Sequence, residues 1–296
     1  MKQTPASYLK SFPSPFIRAL SKDKYEKGES LFSTTQLISP PQRTWLGKNH
    51  VKQENPYTMF HALMGTAIHS ILEDNVDPAN GEVAEERLHY NYFLQTDKKN
   101  ESIPISGQID FYENKTVFDY KNTAGFQDKM KEEHYQQVQI NGWLAKKNGY
   151  EVDHVSVVYL QRDWSYMRST VDPTYPQTPF AIYVAPYDEE FAAKLLAKTV
   201  EDHWKAHNGL PRSCTPEEQW ERPSVYAIMS LGAKRASKLC DTLAEAEELK
   251  KPNQIVETRK GEKVFCSSFC GYSHCCKQFK EESQLITRKA PSGLED

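Results

Sequence analysis

The chain has 296 residues, a net charge of −3, and 26% charged against 38% hydrophobic residues, the balance of a globular protein with a substantial core. No apolar run approaches the ~18 residues of a membrane helix. The slight acidity argues against a protein that coats nucleic acid through excess positive charge, but not against an enzyme whose basic groove is offset by acidic ligands.

In chain order, residues 1–32 read as a polar N-terminal arm without a clear period. The stretch 33–46 predicts a short helix stopped by Pro40-Pro41. Over 58–74, Met59, Phe60, Leu63, Met64, Ala67, Ile68, Ile71 and Leu72 recur at helical spacing. Gly65, His69 and Glu73 form a separate i, i+4, i+8 stripe on that helix. Strands are expected over 86–94, 103–112 and 116–122, then a long helix over 126–148. Strands at 155–162 and 180–184 and a helix over 188–208 follow. This order predicts an α/β (α+β) fold, a mixed central β-sheet flanked by helices. The expected divisions are the arm 1–32, a core 33–210, and a helical, Cys-containing segment 211–296. The last carries one helix over 233–250 and a loose tail of about fifteen residues.

GQIDFYENKTVFDYKN (107–122) carries charges inside strand-like runs. Read as a hairpin with a two-residue loop at Asn114-Lys115, it pairs Glu113 with Thr116 and, three rungs up, Asp110 with Asp119. Lys121 joins them two residues on. Adjacent carboxylates repel unless a cation lies between them, and Mg²⁺ or Mn²⁺ suits such oxygen ligands. A bound metal with a lysine beside it is a chemistry for hydrolysing phosphodiesters. D-x-K alone occurs on many solvated strands. The His69 stripe, with Glu73 able to orient the imidazole, and the polar helix segment around Gln137 add to it. Glu85 and Glu86, at the start of the first strand, are alternative further acids.

These motifs resemble the RecB-like branch of the PD-(D/E)XK nuclease superfamily, whose order is G-x₃-H-x₃-E, G-x-I/V-D, D/E-x-K and Q-x₃-Y. Here they read GTAIHSILE (65–73), GQID (107–110), DYK (119–121) and QVQIN (137–141). The match covers about residues 33–165. The resemblance implies a restriction-endonuclease-like core. It implies Asp110, Asp119, the Tyr120 carbonyl and His69 as ligands of Mg²⁺ or Mn²⁺, Lys121 as catalytic lysine, and Gln137 as a supporting or DNA-contacting residue. Asn141 departs from the family's tyrosine, and D-x-K replaces the commoner E-x-K.

Cys266, Cys270 and Cys276 resemble the C-terminal cysteines that hold a [4Fe-4S] cluster in iron–sulfur members of this branch. The family's N-terminal cysteine is missing from SPPQRTWL, so Cys214 or Cys240 would supply a fourth ligand, with Cys275 an alternative to Cys276. Thiolates in such a pattern bind Fe–S or Zn²⁺, or stay unligated. Arg162 and Trp164, with Tyr166 and Arg168, are candidate DNA contacts. So are Lys234, Arg235 and Lys238 on one side of the expected C-terminal helix.

The function these features predict is a metal-dependent deoxyribonuclease, an exonuclease of phage-type recombination, replication or repair. The alternatives are a structure-specific or restriction-type endonuclease and a catalytically silent DNA-binding subunit. DNA is the expected partner. A homo-oligomer or a recombination partner protein is open, since the sequence marks no interface. MKQTPASYLKSFPSPF holds too short an apolar stretch for a signal peptide, so the expected location is the cytoplasm, the host's if the source is viral.

Overall fold

The longest strand of the protein, β3 (Asn100–Glu113), is the axis of its main sheet. In the computed structural model, which describes residues 13–21, 28–53, 56–96 and 100–288, β2 (Val83–Gln95) pairs antiparallel with β3 along nearly its whole length. On the other side of β3, the two-residue β1 (Phe32–Ser33) runs parallel at Ile105 and Ser106, and β4 (Thr116–Thr123) runs antiparallel at the hairpin end. The sheet continues through β5 (His154–Gln161), parallel to β4, and β6 (Phe180–Pro186), antiparallel to β5. It is a mixed sheet, and with its flanking helices it makes an α+β protein.

The helices that precede the hairpin are α1 (Ser14–Ser21), α2 (Thr34–Leu37), α3 (Pro41–Asn49) and α4 (Pro56–Glu73). Two longer packed helices are α5 (Glu132–Lys147) and α7 (Glu189–His207), separated in sequence by the short α6 (Tyr166–Val171). α5 buries Val138, Ile140, Leu144 and Ala145 with the sheet residues Ile103, Ile105, Val155 and Val157, and α7 adds Ala192, Leu196 and Val200 to the same core. α7 begins at an Asp188 cap whose carboxylate accepts the Phe191 N–H, which satisfies one of the orphan donors of the first turn.

The chain divides into two compact units, residues 1–45 with 54–211, and residues 46–53 with 212–296. The core therefore extends past 33–210: Phe32 is 1% exposed, and the segment 46–53 folds with the C-terminal unit. There the Gln53 N–H bonds the Gly271 carbonyl, and Gly47 is crowded by the Tyr272 ring. The C-terminal unit is not mainly helical. β8 (Val225–Ser230) lies between β10 (Gln254–Arg259) and β9 (Lys238–Cys240), while β7 (Glu221–Arg222) pairs with β11 (Glu262–Lys263). Ile228, Cys240 and Ala246 form its small core. A π-helical turn (Phe265–Phe269) and α9 (Lys277–Arg288) complete it.

Several predicted elements are corrected. Pro40-Pro41 does not end a helix over 33–46; Pro41 starts α3, where a missing N–H costs nothing. Residues 126–131 are not helical. The Tyr159 hydroxyl binds the Lys131 N–H, and the Tyr183 hydroxyl binds the Gln127 carbonyl, so this stretch is tied to β5 and β6. The helix expected over 233–250 shrinks to α8 (Leu243–Leu249), capped by Thr242. Upstream of it, the Ser237 N–H and hydroxyl are both spent on the Ile228 carbonyl. The expected tail from about 282 is helical to Arg288, and 289–296 lie outside the described residues. Among the described residues, no helix is long and apolar enough to cross a membrane.

Candidate active site

The β3–β4 hairpin forms in the register the sequence implies. Asn114 and Lys115 both adopt left-handed backbone (φ 46° and 59°), as a two-residue turn of this kind requires. The ladder runs Glu113↔Thr116, Tyr112↔Val117, Phe111↔Phe118. The same register sets Asp110 opposite Asp119, one rung beyond the last bridged pair. At that rung the carboxylate replaces the ladder: Asp110 Oδ2 accepts the Tyr120 backbone N–H at 2.6 Å. Across β2, the pairs Ala84↔Phe111 and Glu86↔Ile109 put Glu85 opposite Asp110. Three acidic residues from three adjacent strands thus stand in one row.

Glu85 holds φ 52°, a left-handed conformation that costs a residue with a side chain on the order of 1–3 kcal/mol. Its carboxylate is fixed from two directions. Oε1 lies 2.7 Å from His69 Nδ1, and Oε2 accepts Gln108 Nε2 at 2.6 Å. Arg87 in turn donates to Gln108 Oε1. His69 reaches the row from α4, where its Nδ1 is also 3.7 Å from Asp110 Oδ1 and its ring packs edge-on to Tyr120. His69, Glu85 and Asp110 each offer a ligand atom within 4.8 Å of the others.

A second network adjoins this one. Lys121 Nζ donates to Asp119 Oδ1 at 2.8 Å and to Gln137 Oε1 of α5 at 3.1 Å. It is also 2.6 Å from Asp119 Oδ2, in a direction too poor for a hydrogen bond, so that buried oxygen keeps an unfilled acceptor site. Asp119 is 1% exposed. Burial works against the Lys121 charge, but Asp119 and Asp110 outweigh it and hold the ammonium above its ordinary pKa. At Asp110 burial, then the Asp119 charge, push the carboxyl up to about 7; the charges of His69 and Lys121 and the Tyr120 N–H favour the ionised form but are outweighed. His69 is raised, chiefly by its hydrogen bond to Glu85. An elevated carboxyl, an imidazole and a second carboxylate converging, with an orphaned Asp119 oxygen alongside, form a donor set that fits Mn²⁺ or Mg²⁺.

Two sequence alternatives are resolved. Glu85 faces the site, whereas Glu86 accepts the Tyr150 hydroxyl. Glu73 is not the partner of His69: it is exposed at the last residue of α4, and Glu85 does the orienting. Nothing in the local sequence separates Glu85 from Glu86, because the choice depends on the register of β2. Asn141 donates its Nδ2–H to the Gln108 carbonyl at 3.1 Å. A Cβ on the neighbouring Gly107 would stand 2.5–2.7 Å from Thr34, Asn141 and Leu144 side-chain atoms. Gly107 and Asn141 therefore seat the strand that carries Asp110.

An orienting carboxylate of this kind typically contributes 10–100-fold in metal affinity. Glu85→Gln is expected to weaken Mn²⁺ binding by about that factor in calorimetric titration, with Glu73→Gln and Glu86→Gln within twofold of wild type. Equal losses in all three would show that Glu85 has no special role.

Arg162 is exposed, and its guanidinium reaches the Asn122 carbonyl at 3.5 Å. Trp164 is half-buried and spends its indole N–H on the Pro176 carbonyl, so the exposed aromatic ring of that loop is Tyr166. Lys234 and Arg235 are exposed but lie on a turn, not on a helix. In the C-terminal unit, Cys214, Cys266, Cys270 and Cys276 approach one another. Burial, and in smaller part neighbouring acidic groups and the other thiols, push Cys214 and Cys266 up to about 12. Gln278 clasps Cys214 through its backbone N–H and carbonyl. Cys240 is instead in the small sheet core, and Cys275 donates its thiol to the Tyr272 carbonyl.

The fold and this site define an α+β protein with a His–Glu–Asp cluster beside a buried Asp–Lys–Gln network. No family model and no curated protein matches the chain. The solved structure of SSO0001 is similar over 74% of this chain and 91% of its own, at 18% sequence identity and a TM-score of 0.47.

Proposed function

We propose that this protein is a metal-dependent deoxyribonuclease of the PD-(D/E)XK type, acting as an exonuclease. The observation that carries the reading is the meeting of four sequence-distant motifs at one place. His69 and Asp110 share a 4.8 Å cluster with Glu85, and Lys121 bridges Asp119 and Gln137. His69, Glu85, Asp110 and Asp119 would hold the cation. When bound, it supplies a water of lowered pKa and neutralises charge on the phosphodiester. Glu85 fixes the His69 ring through Nδ1, the nitrogen that also faces Asp110. Asp119 and Gln137 fix the Lys121 ammonium, which holds the attacking water and takes up charge developing on the phosphorus oxygens. The exonuclease preference rests on the family resemblance alone.

The same reading assigns Cys214, Cys266, Cys270 and Cys276 to a [4Fe-4S] cluster that staples the C-terminal unit. An anaerobic brown preparation with broad visible absorption is expected, and a colourless protein with stoichiometric zinc refutes it.

The nuclease reading is tested with linear and covalently closed circular DNA in Mg²⁺, Mn²⁺ or EDTA, beside Asp119→Ala. The expected result is metal-dependent loss of linear DNA only, absent in the variant. Equal cutting of closed circles would make it an endonuclease. No cleavage by the wild type, with DNA still bound, would make it a silent binding subunit.

A further inference from the structure

One imidazole near Lys121 is used by none of the chemistry described so far. His134 lies on α5 one turn before Gln137, so the two share a helix face. Tyr159 of β5 is the direct ladder partner of Lys121 and is fully buried. Its hydroxyl accepts the Lys131 backbone N–H at 2.9 Å and lies 2.8 Å from His134 Nδ1. No other hydrogen bond of that hydroxyl is present among the described residues. A buried O–H left without an acceptor costs about 1–3 kcal/mol, so the hydroxyl donates to Nδ1. That assignment puts the ring proton on Nε2.

The Nε2–H itself has no acceptor at bonding distance among the described residues. The nearest carboxylate, Glu133 Oε1, is 3.6 Å away, and the His134 side chain is 15% exposed. Burial, then the charges of Lys121 and Lys131, pull the imidazole down to about 3, so it carries no charge near neutrality. A protonated nitrogen cannot be a metal ligand, and a neutral ring neither competes with the cation nor repels Lys121. What it can do is donate one hydrogen bond of fixed direction to an anion.

We propose that His134 is a further substrate-contacting residue, its Nε2–H donating to a non-bridging oxygen of the DNA phosphodiester held beside Lys121. The proposal rests on the nuclease reading above and adds to it a donor that the four motifs do not contain. Tyr159 is then a positioning residue, acting through His134 by fixing its tautomer.

The test compares full-length wild type with His134→Gln, which keeps a neutral N–H donor, and His134→Leu, which does not. Single-turnover cleavage of a short labelled duplex is measured in Mg²⁺, and affinity for the same duplex in EDTA. Loss of one aimed donor lowers rates by about 10²-fold or more in strong cases. His134→Leu is expected to lose at least tenfold in cleavage and about threefold in affinity, with His134→Gln close to wild type in both. His134→Leu within twofold of wild type in both, or equal losses in the two variants, would overturn the proposal. Long-range ¹⁵N–¹H spectra of the wild type supply a separate readout: a neutral Nε2–H ring is expected between pH 6 and 8, shifting to mixed tautomers in Tyr159→Phe. A wild-type ring protonated on Nδ1 overturns the proposal. Should the wild type cleave nothing, the nuclease reading falls, while the affinity comparison and the spectra still judge the donor.

Discussion

Asp110→Asn is expected to raise the thermal stability of the metal-free protein at pH 8 while abolishing metal-dependent cleavage. The Asp110 carboxyl is pushed from its ordinary value of 3.8 to about 7, so above pH 7 the folded protein holds an ionised group it would prefer protonated. A displacement of that size corresponds to at most ~4 kcal/mol. The group's folded pKa is raised. Its contribution to stability is therefore fully present below pH 3.8, declines as the pH rises, and is gone above 7. The gain from Asp110→Asn should be near zero at pH 4, grow toward pH 7, and stay constant beyond it. Asparagine keeps an oxygen for the Tyr120 N–H and removes the repulsion with Asp119. Melting curves in EDTA across pH 4–9 measure this directly. A variant no more stable than wild type at pH 8 would mean that Asp110 carries no strain from its charge. A site kept at a cost to folding is the usual mark of a group retained for function.

Lys121→Met should have the opposite effect on stability. Asp119 is 1% exposed, and Lys121 Nζ sits against both of its oxygens at 2.8 and 2.6 Å. Removing one member of a buried pair leaves an unpaired charge and costs about 3–5 kcal/mol. The 22% exposure of the Lys121 side chain puts the expected loss at the lower end of that range. Cleavage should fall by about 10²–10³-fold. Adding Asp119→Asn to Lys121→Met should recover most of the stability and none of the activity. That non-additivity is the signature of a direct pair and is read by denaturant titration in EDTA. If the single variant lost no stability, another group would be neutralising Asp119.

The hairpin was legible in the sequence because its signals are local. Asn114-Lys115 suits a left-handed turn, and apolar alternation fixes the strands on either side. The α4 stripe was legible for the same reason, down to His69. Glu73 was the wrong partner because periodicity on one helix cannot see a strand that approaches it. Glu85 comes from β2, and it is aimed by a left-handed backbone that no sequence pattern announces. The C-terminal unit was misread for a related reason. Its strands are short, β9 being three residues long, and the helix propensity of the Ala- and Glu-rich stretch 243–249 predicts a helix that reaches upstream to 233. There the pairing of β9 with β8 overrides it.

By itself the sequence determined the order of the main strands and helices, the hairpin register, and residues that converge at one place: His69, Asp110 and Asp119, with Lys121 beside them. Each of these follows from spacings of a few residues, which the 3.6 and 2.0 periodicities convert into faces. Only the tertiary structure decided which acid orients His69, that Asn141 holds the Gln108 carbonyl, that residues 46–53 belong with the C-terminal unit, and that the Tyr159 hydroxyl meets His134. Those are contacts between segments 16 to more than 150 residues apart. They are set by how β3 is clasped between β2 and β4 and by how α5 packs on the sheet, and no local period encodes them.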